Sequence, residues 1–324
     1  MTDVRFAHAL QGPRRPRNSD IAALNRLFSE SFTDRYRRDG LLGVRVPQLN
    51  PQIWRYAILD AAEGAMLWFD EENELIAFNI AHRSGAEGWM GPLAVRSDSQ
   101  GYGAGKMIVQ AAIDWLRREG ASTVGLETMP RTVENIGFYS RLGFVPQHLT
   151  LTMSSDARRR AEDGRLVPLS ELSRGDQEEL VARCRARLDR SASGCDYSRE
   201  FNLTIELGIG DAIVVEKRSE IAGFALWHSA PLAQDRLQEE LRVLKLFADS
   251  PKTFEQLAAA AESCAAEARL PRVVIRCQTA FCGAYETLIR RGYAVRWSDL
   301  RMTLKRRPEP VLPPGEILFS NWEI

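Results

Sequence analysis

The stretch TVGLETMPRTVENIGFYSRLGFV at 123–145 recurs in outline 149 residues later, where the chain reads RVVIRCQTAFCGAYETLIRRGYAV from Arg272. Val124 falls on Val273, Leu126 on Ile275, Gly143 on Gly292 and Phe144 on Tyr293. The same shift lays the helical pattern of 107–118 on the Ala-rich 256–267, and PLAV at 92–95 on LRVL at 241–244. At a slightly different offset, ELIAFNI at 74–80 resembles EIAGFAL at 220–226. Sustained register of this kind marks one supersecondary plan used twice, and 324 residues suffice for two domains of ordinary size. The expected division is a first domain over 1–155, a second over 165–310, and a tail over 311–324. The polar run SSDARRRAEDGR joins the copies, and the Pro-rich end of the chain closes on a short strand-like piece.

Within the first copy the order is mixed α and β. VRFAHAL (4–10) alternates like an opening strand. Ser19 reads as the N-cap of a helix running to about Arg38, with Gly40 just past its end. A second helix is expected over 51–61, and 65–84 reads as a hairpin with an acidic turn containing Asn73. GWMGPLAV (88–95) reads as a strand that Pro92, lacking an N–H, must bulge or break. Downstream of QGYGAG, residues Ile108, Ala111, Ala112, Trp115 and Leu116 share one helical face. A strand over 122–129, a short helix over 135–142 closed by Gly143, and a final strand over 144–153 complete the plan.

Bulk properties narrow the function. Lys+Arg and Asp+Glu are equal at 43 each, which argues against a nucleic-acid binder, and runs such as RRPR at 14–17 read as solvated. No apolar run approaches the ~20 residues of a membrane span, and no signal peptide is visible, so a cytoplasmic protein is expected. The five cysteines, Cys184, Cys195, Cys264, Cys277 and Cys282, have no metal-ligand or disulfide-framework spacing. No metal is expected, and the first half has no thiol to act as a nucleophile.

The chemistry concentrates in QGYGAGK (100–106). A P-loop would require glycine at Gln100 and Ser or Thr at Met107. A dinucleotide fingerprint would require glycine at Lys106. The pattern [QR]-x-x-G-x-[GA] is met by Gln100, Gly103 and Gly105, after a strand and before a helix. Amides at a helix start lack intrahelical partners and carry the positive end of the helix dipole. A diphosphate can approach them closely where Gly101, Gly103 and Gly105 leave side chains out. A tight strand-to-helix turn without ligand is the plain alternative.

With this loop, AVRSDSQGYGAGKMIVQAAIDWL resembles the acetyl-CoA pyrophosphate loop of the GNAT acyltransferase family, and ENIGFYSRLGF (134–144) resembles its later motif. The resemblance covers 4–153; residues 166–304 share it only through the repeat. It implies an α/β (α+β) chain of two GNAT-like domains, each a mixed, mostly antiparallel central sheet flanked by helices. A splayed strand pair would form the acetyl-CoA cleft. It further implies acetyl-CoA as cosubstrate, held by Leu93, Ala94 and Val95, by Gln100, Gly101, Tyr102, Gly103, Ala104, Gly105 and Lys106, and by Asn135. Tyr139 would protonate the departing thiolate.

The base is less determined. Glu127 sits on its strand opposite Leu126 and can reach a water in the cleft, whereas Glu87, Glu74 and His82 are further candidates. Under the shift of 149 the three glycines fall on Ser250, Lys252 and Phe254, Asn135 on Ala284, and Tyr139 on Leu288. The second copy therefore loses the cofactor chemistry and is expected to wall the acceptor cleft. The leading reading is an N-acetyltransferase acting on an amine of a small molecule or peptide. An acyl-CoA-binding regulatory module without turnover, and transfer to a non-amine acceptor, stand beside it.

Overall fold

The computed structural model describes residues 10–159 and 166–322. Of the expected opening strand at 4–10, residues 4–9 lie outside them and Leu10 is in no strand; the first described strand is β1, Gln11–Arg14. Helix α1 spans Ile21–Arg38, and Ser19 is not its cap. Ser19 sits inside a 3-10 turn that Asp20 closes, its carboxylate accepting the Arg17 N–H at 2.7 Å. Helix α2, Pro51–Ala61, starts as the sequence dictates: Pro51 occupies the first turn and the Asn50 side chain accepts the Gln52 N–H at 3.0 Å.

The hairpin β2 (Ala65–Phe69) and β3 (Leu75–Ser84) turns at Asn73, φ 60°. Along β3, side chains alternate faces: Ala77 and Ala81 pack toward the later helix, Phe78 and Ile80 toward α1 and α2. Strand β4, Glu87–Val95, carries the expected bulge. Asn79 lies opposite Leu93 but Ala81 opposite Met90, so β4 spends one extra residue at Gly91-Pro92. Helix α3 (Ala104–Arg118) buries Ile108, Val109, Ala112, Trp115 and Leu116, each large apolar side chain contributing about 1.5–3 kcal/mol. Strand β5 (Thr123–Thr128), α4 (Val133–Arg141) and β6 (Phe144–Asp156) follow. Gly125 on β5 is required by close approach: a Cβ there would meet the Trp89 ring at 2.5 Å.

The second half repeats the plan: α5 (Arg174–Ser191), α6 (Ser198–Glu206), β7 (Gly210–Lys217), β8 (Glu220–His228), β9 (Glu240–Ala248), α7 (Pro251–Glu267), β10 (Arg272–Gln278), α8 (Cys282–Arg290), β11 (Ala294–Leu304). A last strand, β12 (Ile317–Ser320), ends the described chain. Among the described residues twelve strands form one sheet in the order β1-β2-β3-β4-β5-β11-β6-β10-β9-β8-β7, with β12 against β9. The two copies exchange final strands: β11 of the second pairs β5 of the first, and β6 of the first pairs β10 of the second.

The ladders correct part of the sequence alignment. Glu87 pairs Thr123 in the first copy, and Glu240 pairs Arg272 in the second. Strand β4 therefore corresponds to β9 at a shift of 153, which puts Pro92 on Lys245 and not on Leu241. The loop residues 96–103 then have only Asp249 and Ser250 opposite them. The shift of 149 holds from β5 onward, where α4 and α8 coincide end for end.

Candidate active site

Strand β4 pairs β5 only over 87–90 against 123–126. Beyond the bulge at Gly91 the two diverge, and two cavities open in the gap. An outer one of about 530 Å³ runs to the Gly-rich loop. A deeper one of about 260 Å³ runs under the sheet toward the second half. Leu93, Asn135 and Tyr139 line both, together with Phe32 and Arg35 of α1.

The outer cavity ends in a cradle suited to phosphate. Gly103 is the N-cap of α3, at φ 90°, and Gly101 stands at φ 88°. Both are conformations that L side chains resist, and a Cβ at either would project into open space. The first intrahelical bond comes from the Met107 N–H to Gly103 O at 3.2 Å, so the amides of Ala104, Gly105 and Lys106 are free to face a ligand. Arg35, Arg38, Lys106 and Arg141 line the same space. Gln100 closes the loop: its amide donates to Val95 O at 2.9 Å and its carbonyl accepts from Arg38 at 3.1 Å. Tyr102, 43 % exposed, is turned away, and the Ala104 side chain is buried in the core, leaving only its backbone for the cavity. Arg38 and Arg141 escaped the sequence reading because only the tertiary fold brings the ends of α1 and α4 to the loop.

At the junction, Tyr139 is buried, its ring 5.1 Å from Phe138 and 6.1 Å from Phe144 between centroids. Burial raises its hydroxyl above the ordinary tyrosine value, so it stays protonated at neutral pH. Asn135 lies beside it with its amide 3.5 Å from Thr128 Oγ1, the outer limit of a hydrogen bond. Val95 and Ala94 are held by pairing to Ala77 and Phe78 of β3, and Leu93 by pairing to Asn79. The opposite edge of this segment faces the gap.

The second half supplies one side of the deep cavity, through Arg276, Trp297, Asp299, Arg301 and the residues around Trp322. Glu127 accepts from Arg301 at 2.7 Å, from Arg276 at 2.5 Å and from Thr150. Burial alone would raise its carboxyl, but the two guanidiniums overcome that and hold it at about 2. Such a carboxylate is a weak proton acceptor, and its two oxygens are already engaged. Asp299, raised by burial, accepts from Arg276 at 3.0 Å and from the Trp297 indole at 3.1 Å. Tyr36 and Trp297, 5.8 Å apart, stand among the lining side chains. Of the other base candidates, Glu87 is buried and saturated by Trp89, Tyr197 and Ser320 at 2.8, 3.0 and 2.8 Å. Glu74 is exposed and lines neither cavity. His82 lines the deep cavity, 2.7 Å from Asp60. Arg276, Asp299 and Arg301 went unread in the sequence, because the strand exchange that gathers them has no local signature, and Trp322 because it arrives just beyond β12.

The equivalent gap in the second copy is filled. Strand β12 pairs Lys245–Ala248 of β9 where that strand leaves β10. Asn321 ties the two together, donating to Leu244 O and Arg276 O at 3.3 and 3.0 Å. Ser250 caps α7, Phe254 is buried, and Ala284 and Leu288 are core residues where the first copy has Asn135 and Tyr139. Among the described residues no group of three or more His, Cys, Asp or Glu is placed to hold a metal. No described helix is long and apolar enough to cross a membrane.

Residues 22–144 match the acetyltransferase (GNAT) family. A putative acetyltransferase from Pyrococcus horikoshii superposes with TM-score 0.66 over 95% of this chain and 96% of that one, at 16% identity. A GCN5-related N-acetyltransferase from Sphaerobacter thermophilus gives 0.59 over 94% and 98%, at 13% identity. The N-myristoyltransferase of Saccharomyces cerevisiae, solved with bound myristoyl-CoA, gives 0.62 over 94% and 85%, at 12%. At these identities the likeness is one of fold. No curated protein sequence matches the chain. Residues 22–144 thus carry the match to the acetyltransferase (GNAT) family, and the likeness in fold extends over nearly the whole length of the chain.

Proposed function

We propose that the chain transfers an acetyl group from acetyl-CoA to an amine of a small molecule or peptide by direct attack. The observation that carries this reading is the meeting of the two cavities at Leu93, Asn135 and Tyr139. A donor whose diphosphate rests on the amides at 104–106 would run its pantetheine arm along Leu93, Ala94 and Val95 past Asn135. Its thioester would then arrive at Tyr139. The free edge of β4 offers backbone N–H groups for the carbonyl oxygen as it gains charge.

The amine nitrogen attacks the thioester carbon from the deep cavity, a C–N bond forms, and the C–S bond breaks. The Tyr139 hydroxyl gives its proton to the departing sulfur. An amine of pKa ~10.4 is only about one part in a thousand neutral near pH 7, so a group that removes its proton is needed as well. Glu127, engaged by Arg276 and Arg301, suits the task of anchoring the cavity wall.

The experiment is acetyl-CoA consumption by the full chain across a panel of amines, peptides and aminoglycosides, with acetyl-CoA affinity measured by calorimetry. Transfer to an amine supports the reading. Tight binding with no turnover on any acceptor replaces it with acyl-CoA sensing, and transfer only to hydroxyl or thiol acceptors replaces the amine.

A further inference from the structure

We infer that His82, oriented by Asp60, takes the proton from the attacking amine. The inference deepens the acyl-transfer reading above and rests on it. His82 stands on β3 opposite Trp89, just below the bulge at which β4 leaves β5. Its Nδ1 lies 2.7 Å from Asp60 Oδ2 on α2, and the two side chains are 2 % and 1 % exposed. An ionised carboxylate only accepts, so Nδ1 carries the hydrogen and Nε2 keeps a lone pair. His82 lines the deep cavity and Asp60 does not. Nε2 is buried and has no hydrogen-bond partner among the described residues.

Leaving such an atom dry and unpaired costs about 1–3 kcal/mol. That cost is recovered when a proton donor enters the cavity. The acceptors nearby are already committed: Glu127 to two guanidiniums, Asp299 to Arg276 and Trp297, and Glu87 to three donors. Tyr139 and His82 line one void. The amine proton therefore passes to His82 Nε2, directly or across one water, while the thiolate takes its proton from Tyr139.

The charges around the dyad come from several elements. Arg199 of α6 donates to the Asp60 backbone carbonyl at 2.6 Å. Glu200, also of α6, is pushed up to about 8 by burial and by Asp60. Lys245 of β9 sits 3.3 Å from the centroid of the Trp322 ring, and Trp322 in turn stacks on His82 at 5.7 Å. Glu87 of β4 and Arg301 of β11 meet Trp89 from either side, the first through the indole N–H and the second over the ring. Strand β2, AMLWF, brings no titratable group.

The test uses the full chain, acetyl-CoA and an acceptor that the wild type acetylates. His82→Gln should lower the single-turnover rate by about a hundredfold or more while acetyl-CoA affinity stays within about twofold. The pH profile of the single-turnover rate should change with it. Asp60→Asn should give an intermediate loss. Nitrogen-15 NMR of the wild-type imidazole, which needs no turnover, should show the Nδ1–H tautomer. An Nε2–H tautomer, or a wild-type rate and pH profile in His82→Gln, overturns the inference and leaves acyl transfer standing. If His82→Gln does not fold, a wild-type rate in Asp60→Asn overturns it equally. A wild type that acetylates no acceptor overturns the acyl-transfer reading and this inference together.

Discussion

Glu127 and Arg276 hold equivalent places in the two copies, 149 residues apart, and they are bonded to each other. Strand exchange brings this about: β5 and β10 flank the crossed pair β11 and β6, so the two equivalent side chains face one another across the middle of the sheet. Arg301 completes the group, its guanidinium bridging Glu127 and Glu309.

The ion cluster predicts a particular pH dependence. Glu127 titrates near 2 when folded and near ~4.3 when unfolded. Its stabilising contribution is therefore fully present above the unfolded value and is lost as pH falls through the folded one. Glu127→Gln should cost about 3 kcal/mol near neutral pH, since it leaves the buried Arg301 guanidinium and the half-buried one of Arg276 short of a charge. Denaturant melts should show the gap to wild type closing between about pH 5 and pH 2. A gap that stays constant over that range would mean the carboxyl is not held low by the pair.

Cofactor affinity should depend on the two left-handed glycines. Gly103→Ala imposes the backbone strain of φ 90° alone, about 1–2 kcal/mol of stability. Gly103→Asp adds a negative charge where the diphosphate is proposed to lie. Calorimetry should give a loss of acetyl-CoA affinity at least about tenfold greater for Asp than for Ala, with similar melting temperatures for both. Equal affinities for the two variants would remove phosphate from this turn.

Stoichiometry should be one CoA per chain. The second copy lacks the phosphate loop outright, and β12 occupies the gap between β9 and β10. Calorimetric titration that found two equivalent sites would contradict this closure.

Tyr139→Phe removes a hydroxyl and keeps the ring against Phe138 and Phe144. Acetyl-CoA should bind as before, and single-turnover rates should fall at least about tenfold. A thiol of pKa ~8.5 is a fair leaving group, so steady-state rates alone can understate the effect. Since burial raises the hydroxyl, no rate loss from its ionisation should appear on the moderately alkaline side. Wild-type single-turnover rates in the variant would return Tyr139 to a packing role.

Where local chemistry decides, the sequence was readable. Helix α2, with Asn50 and Pro51 at its start, the Asn73 turn and the Gly91-Pro92 bulge follow from the rules of caps, turns and strands. The Gly-rich turn was placed correctly because a cap needing φ above zero has few solutions. The alignment failed at β9, where a loop deletion changed the shift from 149 to 153 and apolar alternation tolerated either register. Glu127 looked like a free carboxylate because its partners, Arg276 and Arg301, arrive from more than a hundred residues away. His82 looked like an isolated histidine for another reason: Asp60 reaches it from a helix whose packing angle no local pattern encodes.

The exchange of final strands also sets an order of events. Strand β5 acquires its antiparallel neighbour only when Gly125–Thr128 meets Leu300–Thr303. That pairing closes a loop spanning most of the second copy, and such contacts form late because their entropy cost precedes their reward. The Gly-rich loop and α3 precede that pairing in the chain, yet one side of the deep cavity waits for Arg276, Asp299 and Arg301. A chain without them would hold the outer cavity and lack part of the deep one. The cleft is therefore complete only once β10 and β11 have joined the sheet.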